Sequence, residues 1–220
     1  ATHLPSKLTA TQLKGRLLDA EAAEEAYVRP APPPTWRTPQ FLQTAPLQGR
    51  EKGNATHLFM QFARYEACTA EEPLRAELAR LQDERFLTPR QAEAVDLAHV
   101  LRLFASPLGA RILSARALRR EFKFSILTDA ADYDPAAAGE EVLLQGVVDA
   151  WFETKDGLVI VDYKTDRIRP DAVPERTAYY AAQLRAYAGA MARITGRPVC
   201  RRTLYFLHCG CSADVPETDA

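Results

Sequence analysis

The sequence predicts a mixed α/β fold, a central mixed sheet flanked by helices with a helical insert at about 66–115. Two observations carry this. Apolar residues recur at helical spacing from about Arg50 to residue 115, and from residue 117 the period changes to the alternation of strands. The resulting order of helix, three strands, helix and strand suits a mixed α/β core.

The elements follow in chain order. Residues 6–26 read as a short amphipathic helix with Leu13, Leu17 and Leu18 on one face and Thr9 or Thr11 as its cap. Pro30 to Pro46 carries six prolines, Pro32-Pro33-Pro34 among them, and reads as an extended strap. Together these make a leading segment, 1–47, ahead of a main domain at 48–220. Arg50 to Phe62 is helical, with Leu58, Phe59 and Phe62 apolar. Helices follow near 71–83, 88–105 and 107–115, with Pro73, Pro89 and Pro107 in their first turns. Residues 117–127 and 142–153 are strands, and Asp156-Gly157 is a tight turn into a third, Leu158 to Tyr163. Residues 175–195 return to helix, and Thr203 to His208 is a last strand.

The bulk numbers bound the function. Of 220 residues, 47% are hydrophobic and 26% charged, the make-up of a globular chain that needs no disulfides. No apolar run is long enough to span a bilayer, so no membrane partner is expected. Cys68, Cys200, Cys209 and Cys211 include no Cys-x-x-Cys clip, and reduced cytosolic thiols are expected. The chain starts at Ala1 with no initiator Met, and the expectation is a piece of a longer protein. A net charge of −1 does not announce nucleic acid. Basic residues nevertheless cluster at Arg111, Arg116, Arg119, Arg120 and Lys123, and again at Arg197, Arg201 and Arg202, and at least one cluster is expected to touch phosphate.

Asp162-Tyr163-Lys164 is the chemical centre. Residues two apart on a strand share a face, so Asp162 and Lys164 project together. Asp149, on the strand before the Asp156-Gly157 turn, comes close to Asp162 if the hairpin is in simple register. Two neighbouring carboxylates are costly to bury without a cation, and a hard divalent ion such as Mg²⁺ prefers carboxylate oxygens. A lysine beside that ion can orient a water or neutralise charge growing on a phosphate, which makes a phosphodiester hydrolase. The alternative for one Asp-x-Lys alone is a surface ion pair. The buried Val159-Ile160-Val161 run and Gly146-Val147-Val148 before Asp149 argue for a built site.

The run Leu144 to Phe152, then Gly157-Leu-Val-Ile-Val-Asp-Tyr-Lys-Thr-Asp166, resembles the RecB-like nucleases of the PD-(D/E)XK superfamily. Within that group the chain looks most like the C-terminal nuclease domain of the AddA subunit of bacterial AddAB (RexAB) helicase–nucleases. Arg50 to His57, Arg120-Glu-Phe-Lys-Phe124, Gln183-Leu-Arg-Ala-Tyr187 and Lys7 to Lys14 resemble further segments of the same domain. The resemblance implies a PD-(D/E)XK restriction-endonuclease-like core. It implies metal held by His57, Asp149, Asp162 and the Tyr163 carbonyl, with Asp149, Asp162 and Lys164 as the catalytic set. Gln183 and Tyr187 would contact DNA or steady the site, and their i, i+4 spacing puts both on one helix face. Glu121 would pack near the site. The cofactor implied is Mg²⁺, with Mn²⁺ as the alternative. AddB-type domains carry a four-cysteine iron–sulfur staple, and without Cys-x-x-Cys no iron–sulfur cluster is expected here.

The function implied is an exonuclease acting on single-stranded DNA during double-strand-end repair. Its implied partners are the helicase part of its own longer chain and an AddB-like subunit. No phosphate-binding Gly-x-x-x-x-Gly-Lys loop is present, so a motor, if there is one, is expected outside this sequence. The alternatives are a catalytically silent DNA- or partner-binding module of the same fold, and a free-standing exonuclease.

Overall fold

Every residue of Gly157–Lys164 is buried. This strand, β4, lies inside a six-stranded sheet in the computed structural model, which describes residues 5–14 and 49–217. Leu158-Val-Ile-Val has no polar side to offer water, so it suits a strand covered on both faces. β3 (Glu141–Thr154) runs antiparallel to it through the Asp156-Gly157 turn, with Ala150 opposite Val161 and Thr154 opposite Gly157. β5 (Val199–Phe206) lies parallel on the other side of β4, and β6 (Cys211–Asp214) closes a hairpin on β5. β3 takes two partners along one edge: β1 (Lys7–Thr9) pairs in parallel with Leu143–Gln145, and β4 pairs beyond it. β2 (Arg119–Asp129) covers the opposite edge of β3.

Helices cover both faces. On one side lie α1 (Arg50–Phe62), α2 (Glu71–Asp83), α3 (Pro89–Ala94), α4 (Leu97–Phe104) and α5 (Pro107–Ser114). Phe59, Met60, Leu74, Leu81, Leu103 and Ile112 from this layer pack with Phe152, Val159, Val161 and Tyr163 of the sheet. α6 (Val173–Thr195) is the crossover that lets β4 and β5 run parallel. It covers the other face, where Tyr187, Ala190 and Met191 share a core with Leu144, Val148, Leu158 and Ile160. Strict alternation along β4 therefore feeds both cores, and burial of each large side chain contributes about 1.5–3 kcal/mol. No helix among the described residues is long and apolar enough to cross a membrane.

Three sequence expectations are corrected. Within the stretch expected as a leading helix, Lys7–Thr9 is a strand and Ala10–Leu13 a single 3₁₀ turn. Pairing with β3 overrides the local helical pattern, although Thr9 does stand at a cap position, its N–H donating to Gln12 Oε1 at 2.7 Å. The rest of that helix and the proline strap lie outside the described residues. The helix expected over 88–105 is two, because Asp96 caps a fresh start, accepting from the Ala98 and His99 amides at 3.0 and 3.2 Å. The last strand begins earlier than Thr203, at Val199, and is followed by β6, which the sequence pattern did not predict.

The basic clusters divide as well. Arg197 pairs with Glu153, Arg201 with Asp214 at 3.1 Å, and the buried Arg202 donates to the Val215 carbonyl at 3.3 Å. Arg120 turns inward to the end of α1, donating to the carbonyls of Ala63 at 2.5 Å and Met60 at 3.2 Å.

Candidate active site

The site forms where β3 and β4 pass between α1 and α6. Asp162 and Lys164 both leave β4 on the α6 side, as their spacing requires. The Lys164 ammonium pairs with the Asp162 carboxylate and donates to Gln183 Oε1 at 3.0 Å. Gln183 Nε2 in turn donates to the Tyr187 hydroxyl at 3.0 Å. Gln183 and Tyr187 are each 3% exposed, so this face of α6 steadies the lysine from within.

Asp149 is the hinge of the arrangement. Its Oδ1 lies 3.3 Å from His57 Nδ1, and its Oδ2 accepts from the Tyr163 amide at 2.7 Å. The side chain of Tyr163 is buried in the core beneath the helical layer, so the site sees its backbone. His57 reaches in from α1, whose approach needs Gly53: a Cβ there would stand 2.8 Å from Thr165 Oγ1, in the loop after Lys164.

Glu121 enters by a break in alternation. Arg120 points to α1, yet Phe122 packs toward α6, although residues two apart on a strand ordinarily share a face. Glu121 between them has φ 49°, a left-handed backbone that costs an L-residue of order 1–3 kcal/mol and collects at functional sites. Arg120 pairs with Ala150 and Phe122 with Val148, so Glu121 stands across from Asp149. His57, Glu121 and Asp149 each offer one ligand atom, and these atoms lie within 4.8 Å of one another.

The electrostatics are those of crowded acids. Burial opposes the imidazolium of His57, but the Asp149 carboxylate more than offsets it and raises the group to about 9. Burial pushes the Glu121 carboxyl up to about 7, with the charge of Asp149 adding to it. Burial raises Asp162 to about 6, against the pull of Lys164 and with the repulsion of Asp149. Burial pushes Asp149 upward, but the charge and hydrogen bond of His57, the charge of Lys164 and the Tyr163 amide together hold it below its ordinary value.

Of the residues singled out in the sequence, His57, Asp149 and the Tyr163 backbone meet directly, and Asp162, Lys164, Gln183 and Tyr187 form a second linked set. Asp162 is turned to Lys164 and stands outside the compact donor group, in which Glu121 takes the third place. Tyr180, Asp166 and Arg176, linked beside Lys164, were not singled out. A signal for them exists: Arg176, Tyr180, Gln183 and Tyr187 recur at 4-3-4 spacing, one stripe of α6. The donor set of imidazole and carboxylates beside a lysine fits a hard divalent cation.

Comparison with known proteins agrees. The chain matches the PD-(D/E)XK nuclease superfamily over residues 25–217. It is 39% identical over 216 residues to the A subunit of the ATP-dependent helicase/nuclease of Moorella thermoacetica. It is 35% identical over 211 residues to the protein of that name in Acetivibrio thermocellus, and 36% over 213 residues to that of Desulforudis audaxviator. These alignments take in 95%, 93% and 93% of this chain, but it spans only 15%, 16% and 17% of those relatives. With that match running through every strand from β2 to β6, the chain belongs to the PD-(D/E)XK nuclease superfamily.

Proposed function

We propose that this chain is the nuclease domain of an AddA-like bacterial helicase–nuclease. In this reading it is a divalent-metal-dependent deoxyribonuclease that hydrolyses phosphodiester bonds of single strands, as an exonuclease, during recombinational repair of double-strand ends. The observation that carries it is the meeting of His57, Glu121 and Asp149 with the Asp162–Lys164 pair at one end of the sheet. The relatives' printed name, a helicase/nuclease subunit, supports a motor in a longer chain that feeds the strand, and the proposal adds an AddB-like protein as further partner and the cytoplasm as the compartment.

His57, Asp149 and Asp162, with the Tyr163 carbonyl, would hold Mg²⁺, or Mn²⁺ in its place, and Glu121 joins them on its position. When bound, such an ion would supply Lewis acidity and a bound water more acidic than bulk water. The protein's own residues do the remaining work. Asp149, locked by His57 and the Tyr163 amide, fixes the carboxylate geometry in advance. Lys164 places a positive charge where negative charge grows on the phosphate. Gln183 and Tyr187 keep that lysine from swinging away. No iron–sulfur cluster enters this reading: Cys68 is buried in the helical layer, while Cys200 is exposed on β5.

The test is digestion of an end-labelled single-stranded oligonucleotide with Mg²⁺ and with chelator, alongside Asp162→Ala. Cleavage that needs the metal and is lost in the variant is expected. Cleavage indifferent to both would overturn the reading.

A further inference from the structure

Lys164 has a third support besides Asp162 and Gln183. Its Nζ stands 4.0 Å from the centre of the Tyr180 ring. That ring is itself fixed. Tyr180 is 6% exposed, and its hydroxyl donates to Asp166 Oδ1 at 3.0 Å. Arg176 donates to the same hydroxyl oxygen at 3.0 Å and pairs with Asp166. Two more cations face the ring, Lys14 with Nζ at 5.4 Å and Arg176 with Cζ at 5.1 Å from its centre. A leucine would fill such a position as well as far as apolar burial goes. What only an aromatic ring adds is a negative face for the ammonium.

The supports of Lys164 are not equivalent. Asp162 is also a ligand in the reading above, so a cation that takes its oxygens weakens its hold on the lysine. Gln183 and Tyr180 are not ligands and keep theirs. We propose that Tyr180 is a positioning residue for Lys164, a tethered aromatic face that keeps the ammonium aimed at the carboxylates when Asp162 is committed to a cation. This rests on the metal-nuclease reading. The tether explains why the ring carries a hydroxyl: Asp166 follows Lys164 closely in the chain, so Tyr180 ties the loop after β4 to α6 at the point where the lysine passes between them.

Tyr180→Leu removes the face, Tyr180→Phe keeps it without the tether, and Lys164→Ala is the reference. In Mg²⁺-dependent cleavage of a single-stranded oligonucleotide, Tyr180→Leu is expected to lower kcat by about tenfold or more, the scale of a desolvated cation–π contact. KM and Mn²⁺ affinity stay unchanged, and Tyr180→Phe recovers most of the rate. Should Tyr180→Leu not fold, Tyr180→Met, unbranched and adaptable, takes its place.

The second readout needs no metal and no activity. In carbon-13 spectra of lysine ε-methylenes, one upfield-shifted signal should vanish in Lys164→Ala, persist in Tyr180→Phe and return to the ordinary range in Tyr180→Leu. A wild-type kcat in Tyr180→Leu, an equal fall in Tyr180→Phe, or a Lys164 signal with no ring shift would each overturn the proposal. A ring-shifted Lys164 in a protein that cuts no DNA with either metal overturns the nuclease reading itself, and the positioning role of Tyr180 in cleavage with it.

Discussion

Asp149 Oδ2 accepts the Tyr163 amide at 2.7 Å while Asp149 Oδ1 faces His57 at 3.3 Å, so one carboxylate joins β3, β4 and α1. It has a structural task beside its chemical one, and two substitutions separate them. Asp149→Ala leaves the Tyr163 amide without its acceptor and should cost about 1–3 kcal/mol of stability in addition to abolishing cleavage. Asp149→Asn keeps an acceptor and removes the charge. It should recover most of the stability in denaturant titrations and none of the cleavage.

Lys164→Ala should lower cleavage by about 10²–10³ while metal affinity stays nearly intact, because the lysine acts on developing charge. Single-turnover rates beside a calorimetric Mn²⁺ titration measure both. A variant that turns over like the wild type would remove Lys164 from the mechanism.

Gly146 is a place where the site depends on absent atoms. A Cβ there would stand 2.7 Å from Phe124 Cε1 and 2.9 Å from Tyr187 Cε1. Both atoms belong to rings packed edge to face, with centroids 5.9 Å apart. Gly146→Val should cost about 1–3 kcal/mol by overpacking, and should lower cleavage by displacing Tyr187 and hence Gln183. A variant with normal stability and rate would show that these rings give way freely.

How much of this was legible depends on how local each feature is. The Val159-Ile160-Val161 run and the Asp-x-Lys that follows announce a buried strand with two polar side chains on one face, and β4 is that strand. The nearness of His57 to Asp149 has no local signature and was expected only through resemblance. Glu121 joins them through a left-handed backbone in mid-strand, which alternation rules never forecast. β1 escaped notice because a three-residue strand owes its existence to β3, far along the chain, while Leu13, Leu17 and Leu18 spell a helix. Tyr180 could have been found from its stripe on α6, but spacing does not say which face meets the lysine.

Glu77 supplies a pH dependence separate from the site. It is 4% exposed, accepts the Arg64 amide at 2.6 Å and pairs with Arg80 at 2.5 Å, linking the end of α1 to α2. Burial disfavours its charge, but the bonds from Arg80 and from the Arg64 amide hold the carboxyl below its ordinary 4.5. A depressed folded-state value means that this stabilisation is present above the unfolded value and is lost as pH falls through the folded one. Glu77→Gln should therefore be less stable than wild type at neutral pH, with the gap closing below about pH 4. Melting temperatures between pH 3 and 7 follow it, and a gap that does not narrow in acid would assign the effect to packing.

The last prediction concerns how weakly this chain should hold DNA alone. Non-specific affinity scales with the phosphates neutralised, and a net charge of −1 leaves only local cations for that task. The fold reduces them further. Arg120 holds the end of α1, Arg197 and Arg201 are paired, and Arg202 is buried against the Val215 carbonyl. Arg119 and Lys123 remain exposed on β2, the strand that carries Glu121. Arg119→Ala and Lys123→Ala should each lower the slope of log affinity against log salt by about one. Arg202→Ala should leave the slope alone and lower the melting temperature instead, since its bonds are internal. Cleavage should fall steeply between low and physiological salt. In a longer protein whose motor feeds the strand, tethering supplies the local concentration that charge does not. The comparison to make is rate against salt for this chain and for a full helicase–nuclease under one metal. Equal rates, flat with salt, would mean that the chain grips DNA by itself and that the motor adds nothing to binding.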